Sequence, residues 1–301
     1  MRGSSFAFSV THRRDRDMTG WRVMSLDEDL FDLRCGGYDP DSENIDCDAA
    51  AVGEGFAQVV VLDDRGEEIG AATIEVALPD RVELLPHGPL IINDESLIDG
   101  SFRVLEGGTS TWLARYYLGD LRLNGNGALS VDGGEGFDAW TEDSFLFEDR
   151  DWLQGSALTQ GDHPVAIMVD GEHIVDALFT AVGPDSVSEI ALHAESEAAA
   201  EPEDYLTILA QAYDGATPVY GAEFRWSLDG VEEFGEGDLY HYTYDPEAPY
   251  TLSAELDGLT DEVRIHGEGH VDSTNNVGCS AIGATSGGIA GLLVGPVSYT
   301  H

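Results

Sequence analysis

The sequence predicts an all-β protein built from successive β-sandwiches. Three observations support this prediction: apolar and polar residues alternate with a period of two, Asp-Gly and Asn-Gly pairs punctuate the alternating runs, and long stretches with helical periodicity are scarce. Such alternation gives a strand one apolar and one polar face, and these dipeptides adopt the tight turns of hairpins. We therefore interpret the short apolar runs as strands and not as buried helices.

Two strand pairs are predicted in the first half of the chain. Residues 56–62 and 69–78 form one pair, joined by a turn at residues 63–66. Residues 122–131 are expected to form a second hairpin, because the Asn and Gly residues at its centre tolerate the positive φ angles of primed turns.

The second half continues the pattern. Residues 164–169 and 173–179 flank Asp170-Gly171 and form a third predicted hairpin. Residues 223–228 and 250–256 are strands that each run into an Asp-Gly pair, and Trp226 on the earlier of them is expected to pack in a sandwich core.

A weak internal repeat predicts the domain boundaries. Pro79-Asp80 and Pro184-Asp185 each separate a closing strand from an opening one, and a proline there cannot donate to a sheet. The interval between them is about 100 residues, the size of an immunoglobulin-like module. We expect three tandem immunoglobulin-like sandwiches at residues 1–78, 79–182 and 183–266, the middle one with a long loop and the first one incomplete at its N-terminus. A flexible tail is expected at residues 267–301.

The first predicted module resembles a known family. Residues 21–33, which contain Ser25-Leu26-Asp27, and residues 52–61, which contain Gly53-Glu54-Gly55-Phe56-Ala57, are similar to two strands of bacterial Ig-like group 2 domains. The resemblance covers about a quarter of the chain. It implies adhesion or spacing at a cell surface, and the family has no catalytic residues to carry over.

The C-terminal tail resembles a sorting signal. Cys279 follows a polar linker and opens an apolar run of small residues, as in the myxobacterial C-terminal signal, where a Cys precedes an apolar helix and an arginine cluster. Here the apolar run is short of the roughly 20 residues that span a membrane and no arginine cluster follows, so we expect a truncated form of the signal. The resemblance implies an extracellular or outer-surface location, processing at Cys279 and membrane contact through this segment alone.

The charge of the chain restricts its partners. It has 58 acidic and 14 basic residues, for a formal net charge of -44. A surface of this sign repels nucleic acid, whose binding depends on neutralising phosphates with Lys or Arg. The acidity is explained either by adaptation to saline surroundings or by loading with divalent cations.

Cysteines and carboxylates suggest two local features near residue 40. Cys35 and Cys47 flank a turn-rich stretch short enough to be closed by a disulfide, which suits an exported protein. The same stretch carries alternating oxygen ligands for a candidate Ca²⁺ site, and a solvated acidic loop is the alternative. The candidate calcium residues are Asp39, Asp41, Glu43, Asp46 and Asp48.

No catalytic motif is found in the sequence. It lacks a nucleophile elbow, a phosphate-binding loop and the common zinc motifs, and the His266-Gly267-Glu268-Gly269-His270 stretch is a weak candidate for a metal. We therefore predict a non-enzymatic surface protein that acts as a spacer or adhesion module toward an extracellular protein or glycan. The alternative is a carbohydrate-binding module or an accessory part of a secreted glycan-active enzyme, with Trp112 and Trp140 as an exposed platform unless they belong to a core.

Overall fold

A computed structural model describes residues 1–12, 17–86, 101–143, 151–194, 205–233, 235, 237–243, 249–266 and 271–273. Within these ranges the chain forms 24 strands and one short 3-10 helix, Pro184–Ser186, and no α-helix. The all-β prediction is confirmed. The strands are arranged in several sheets that enclose three large hydrophobic cores, and Leu85, Leu113 and Trp152 form a fourth, small cluster.

The first group of strands comprises β1 (Ser5–Thr11), β2 (Arg22–Ser25), β3 (Phe31–Cys35), β4 (Asn44–Ala51), β5 (Gly55–Leu62) and β6 (Glu68–Val76). They form two three-stranded sheets in the orders β1-β4-β3 and β2-β5-β6. Between the sheets lies the first core, which includes the fully buried side chains of Met18, Phe31, Ile45 and Ala57. The predicted pairing of residues 56–62 with 69–78 is confirmed as the β5–β6 hairpin.

The second group comprises β7 (Arg81–Pro86), β8 (Ser101–Leu105), β9 (Thr109–Leu118), β10 (Leu121–Leu123), β11 (Leu129–Asp132), β12 (Phe137–Asp143), β13 (Asp151–Ala157), β14 (Gly161–Val169) and β15 (Glu172–Val182). One sheet has the order β10-β9-β13-β12, with β7 also paired to β9, and it faces strands β11, β14, β15 and β8. The second core lies between these layers and is rich in aromatic rings, namely Phe102, Trp112, Phe137 and Phe179.

The third group comprises β16 (Glu189–Ala194), β17 (Tyr205–Asp214), β18 (Thr217–Tyr220), β19 (Arg225–Leu228), β20 (Val231–Glu233), β21 (Leu239–Thr243), β22 (Tyr250–Leu256), β23 (Leu259–Ile265) and β24 (Val271–Ser273). A sheet in the order β20-β19-β22-β23-β24 faces strands β16, β17, β18 and β21. Trp226 is 1% exposed in the third core, as the sequence predicted. Its indole N–H donates to the carbonyl of Gly237 at 3.2 Å.

Three of the predicted turns are confirmed by their backbone angles. Asp170-Gly171, Asp229-Gly230 and Asp257-Gly258 all have positive φ at both residues, and they close the β14–β15, β19–β20 and β22–β23 hairpins. Two successive positive φ angles are the signature of the type I′ turn, whose twist matches that of paired strands.

The hairpin predicted at residues 122–131 is wrong. β10 pairs with β9 in one layer and β11 pairs with β14 in the facing layer, so the Asn-Gly segment between them crosses from sheet to sheet. Long-range contacts hold this segment: Asn126 exchanges backbone hydrogen bonds with Ser5, and the Gly127 N–H donates to Asp151. Gly125 and Gly127 have the positive φ expected of a turn, which is why the local sequence looked like a hairpin.

Candidate functional site

The predicted disulfide is present in the first group of strands. Cys35 on β3 and Cys47 on β4 are directly opposite in the antiparallel register, with an S–S distance of 2.09 Å and a Cα–Cα distance of 4.0 Å. Cys47 is buried in the first core. The bridge therefore ties an edge strand to the centre of its sheet, at the base of the acidic loop.

The acidic loop uses its polar groups locally. Asp39 accepts hydrogen bonds from the Asp41 N–H and the Ser42 hydroxyl, and these bonds lower the pKa of Asp39. Asp46 and Asp48 point outward from β4, where Asp46 accepts from the Ser9 hydroxyl at 2.6 Å. Glu43 has a positive φ of 54° in the turn. Within the described ranges no group of three His, Cys, Asp or Glu side chains is arranged to hold a metal ion, and calcium binding stays a prediction.

The two tryptophans of the predicted platform do not share a surface. Trp112 is fully buried and packs edge-on against Phe179 with ring centroids 4.7 Å apart, so neither of its faces is open to a sugar. It is a core residue, and its assignment to a ligand platform is wrong. Trp140 on β12 is 36% exposed and lies opposite Gln154.

Sequence reasoning missed the contact between the first and second groups of strands, which we call the first joint. Its centre is Arg2, whose guanidinium binds Glu54 of the first group at 2.5 Å and Asp170 and Glu172 of the second at 2.6 and 2.7 Å. One arginine thus bridges three carboxylates that would otherwise repel one another, and it offsets one of their three negative charges. Charge-assisted hydrogen bonds of this kind are stronger than neutral ones.

Backbone contacts reinforce the first joint. The Arg2 and Gly3 N–H groups donate to the carbonyls of Ala77 and Ala51, while Ser5 bonds with Asn126 of the second group. The side chain of Met1 is buried in the second core. Residues 1–5 are therefore shared by both groups, and the partners of Arg2 are too distant in sequence for local patterns to reveal them.

The second joint links the second and third groups through β8. This strand pairs in parallel with β15 on one side and with β18 on the other, so one sheet runs through both groups. Arg103 on β8 also forms an ion pair with Asp214 on β17. At the end of β8, the backbones of Gly108 and Gly221 touch: a Cβ built on Gly108 would lie 1.9 Å from the Gly221 carbonyl oxygen.

The buried carboxylate of Asp151 stabilises the segment between β10 and β11, against which residues 1–5 pack. Asp151 is 3% exposed, accepts the Tyr116 hydroxyl and accepts the Gly127 N–H at 2.7 Å. Burial, followed by the charge of Asp151, raises the pKa of Tyr116. A carboxylate without partners would be costly here, so this trio fixes the crossing segment against which the first joint is built.

Asp238 lies in an environment that favours its neutral form. Burial raises its pKa to about 6, and its own backbone N–H offsets this only in part. In the unfolded chain a carboxyl of this type ionises near pH 3.9. Stability from this group is thus complete below the unfolded pKa and is lost as the pH rises through about 6.

We expect Asp238→Asn to stabilise the protein at pH 7.5 by about 1–2 kcal/mol, since the amide removes a charge that folding desolvates. At pH 4 the variant and the parent protein should unfold at nearly the same denaturant concentration. Urea titrations at the two pH values measure the difference, with the exposed Glu232→Gln as control. Equal stabilities of parent and Asp238→Asn at pH 7.5 would contradict the raised pKa.

The remaining predicted residues give no assembled site. Cys279 and residues 267–270 of the histidine-rich stretch lie outside the described residues, while His266 is partly buried. No helix within the described ranges is long and apolar enough to cross a membrane.

Comparison with known proteins gives structural similarities only. No protein-family model matches the chain, and no curated protein sequence matches it. The S-layer protein rSbsC(31-844) is 15% identical with a TM-score of 0.37, over 85% of this chain and 32% of that one. Domains 4-9 of the surface layer protein SbsC are 14% identical with a TM-score of 0.34, over 83% and 39%.

An adhesin is also among the similar structures. FdeC of Escherichia coli is 12% identical with a TM-score of 0.27, over 90% of this chain and 92% of that one. The chain spans well under two thirds of the length of the first two S-layer structures.

Proposed function

We propose that this protein is a non-enzymatic spacer or adhesion module outside the cell or at its outer surface, made of three immunoglobulin-like sandwiches. In this proposal the modules correspond to residues 1–78, 79–182 and 183–266. The segment around Cys279 attaches the protein, and the exposed sheets contact an extracellular protein or glycan. The observation that carries the proposal is that neighbouring cores are connected by ion pairs and strand pairing across the two joints, and not by linkers alone.

Rigid joints suit a spacer for a simple physical reason. A flexible linker lets modules fold back on each other, so the average distance that it spans grows only with the square root of its length. At the first joint, the ion pairs of Arg2 and shared backbone hydrogen bonds restrict motion between the first and second groups. At the second joint, a continuous sheet restricts motion between the second and third groups. The acidic surface adds repulsion between modules and keeps the protein soluble.

Small-angle X-ray scattering of the full chain tests the first joint. We expect the parent protein to scatter as a particle with little motion between its first and second cores. Arg2→Ala should weaken that contact by about 1–3 kcal/mol and raise the radius of gyration, because Glu54, Asp170 and Glu172 are left facing one another. The increase should be larger at low salt, where this repulsion is less screened.

Arg34→Ala is the matched control for this experiment. Arg34 is an exposed arginine that pairs with Asp32 on the same strand, at 3.1 Å. Its removal eliminates one positive charge without touching either joint. If the parent protein already scatters as freely moving modules, or if both variants behave alike, the rigid-spacer proposal is wrong.

A further inference from the structure

The sandwich of the first group is open along one side. The edge strands β1 and β6 lie on that side, because the orders β1-β4-β3 and β2-β5-β6 place β3 near β2 at the other. Phe31 on the closed side is fully buried, whereas the inward residues of β1 are only partly buried and Ala72 on β6 is exposed. A cleft of about 610 Å³ widens the gap at one end, next to Val10 and Gly70. The partly buried residues of β1 are Phe6, Phe8 and Val10.

The backbone of β1 is oriented to accept another strand. Ser5 exchanges both of its backbone hydrogen bonds with Asn126, on the side away from β4. Because these bonds alternate in direction along an antiparallel strand, the N–H and C=O groups of Ala7, Ser9 and Thr11 point to the same outer side. Beyond Ser5, no strand in the described part of the chain pairs with this edge.

Strand β1 lacks the charge that dominates the rest of the molecule, although Asp17, Asp63, Asp64 and Arg65 line the cleft at its end. Residues 5–11 contain no charged side chain, whereas the chain as a whole has 58 acidic residues among 301. On β6 the acids are Glu68 and Glu75. If two copies of β6 meet antiparallel around Ala72, Glu68 lies opposite Val76 and Glu75 opposite Ile69, so no like charges face each other.

We propose that this side is a self-association surface, on which β1 of a second copy of the chain pairs antiparallel with β1 about a twofold axis at Ser9. Ala7 of each copy then lies opposite Thr11 of the other, and both strands bond through their outward groups. Val10 and Gly70 line the same cleft. In the proposed dimer the two β6 edges also meet, around Ala72. The pairing covers the partly buried Phe8 and Val10, and it removes edges that would otherwise be free to pair with any strand.

Disulfide trapping tests this register in a full-length Cys279→Ser background. Opposed residues of a hydrogen-bonded antiparallel pair have Cα atoms about 5.5 Å apart, within the range that a disulfide bridges. Ser9→Cys should therefore give a covalent dimer on mild oxidation. Thr11→Cys is the control, because the two copies of residue 11 would be about 14 Å apart along the strands. Equal cross-linking of the two variants, or none at Ser9→Cys, would overturn the proposal.

Analytical ultracentrifugation of proteins without added cysteines provides the second measurement. The dimer should be favoured at 1 M NaCl over 0.05 M NaCl, since salt screens the repulsion between copies of charge -44. Ser9→Pro removes the outward N–H and should remain monomeric, with circular dichroism showing that it is folded. Ser9→Ala loses only the hydroxyl that bonds Asp46 and should still dimerise. A parent protein that is monomeric at both salt concentrations and at millimolar protein contradicts the proposal. Because dimerisation itself raises the radius of gyration, the scattering test of the first joint is made in the Ser9→Pro background, so that the two proposals can fail separately.

Discussion

Trp112→Ala is expected to destabilise the protein by about 3–5 kcal/mol, the usual cost of truncating a fully buried tryptophan. The ring lies at the centre of the second core, where it contacts Phe179, Phe102 and Tyr220 with centroid distances of 4.7, 5.7 and 6.5 Å. Tyr220 belongs to β18 of the third group, so the cavity would also loosen the second joint. Urea denaturation followed by circular dichroism measures the loss.

Two further variants separate packing from ligand binding. Trp112→Phe should retain most of the stability, because the indole N–H has no acceptor among the described residues and its removal sacrifices no hydrogen bond. Trp140→Ala should change stability by less than about 0.5 kcal/mol, since that ring is partly exposed. A folded Trp112→Ala protein of nearly parental stability that has lost glycan binding would restore the platform hypothesis for Trp112.

The burial of Trp112 could be predicted from one feature of the sequence and not from another. Strand β9 alternates Thr111, Leu113 and Arg115 with Trp112 and Ala114. The polar members of the first set indicate that it faces away from the second core, and Leu113 is buried there in the small cluster with Leu85 and Trp152. That alternation places Trp112 in the core, and it was readable from the sequence. The count of aromatic residues in the region carried no information about which face each ring occupies.

Local features were predicted better than long-range ones for a physical reason. The Cys35–Cys47 disulfide and the Asp-Gly hairpins depend on residues close in sequence, whose geometry the chain length and turn chemistry restrict. Arg2 meets Asp170 across 168 positions, and β8 joins two cores through partners on both sides. The free energy of such contacts depends on how whole sheets are placed relative to one another. No short sequence motif predicts that placement. The error at residues 122–131 has the same origin, since the turn residues were recognised but their strands belong to opposite layers.

The shared sheet also determines whether the second and third groups can unfold separately. A 3-10 turn occupies residues 184–186, at the predicted Pro184-Asp185 junction. The strand that bonds both groups, however, is β8, which lies some 80 residues earlier in the chain. A cut at residue 182 would leave β18 without its β8 partner. We therefore expect the second and third cores to unfold together, since the sheet that joins them cannot be broken without exposing paired backbone groups.

Gly108→Ala is the sharpest test of that coupling, and we expect it to lower the free energy of unfolding by about 3 kcal/mol or more. The added Cβ would meet the Gly221 carbonyl oxygen at 1.9 Å and its carbonyl carbon at 2.7 Å. Both atoms are backbone, so relief requires moving β18 away from β8, and the displacement breaks the pairing through which the two cores share a sheet. Fluorescence of Trp112 and Trp226 during urea denaturation, read in single-tryptophan backgrounds where these fold, reports the two cores separately, and their transitions should no longer coincide.

Two other glycines, each with open space where a Cβ would lie, provide controls for this expectation. Gly37→Ala adds a Cβ with no atom within 4 Å and no positive φ, so its cost should be below about 0.5 kcal/mol. Gly107→Ala has equal space but a φ of +81°, and it should cost about 1 kcal/mol through backbone strain alone. The difference between Gly107→Ala and Gly108→Ala then isolates the clash at the second joint. If Gly108→Ala matches Gly37→Ala, with both cores still unfolding together, the close approach of β8 and β18 does not hold the groups together and the coupling must come from elsewhere in the sheet.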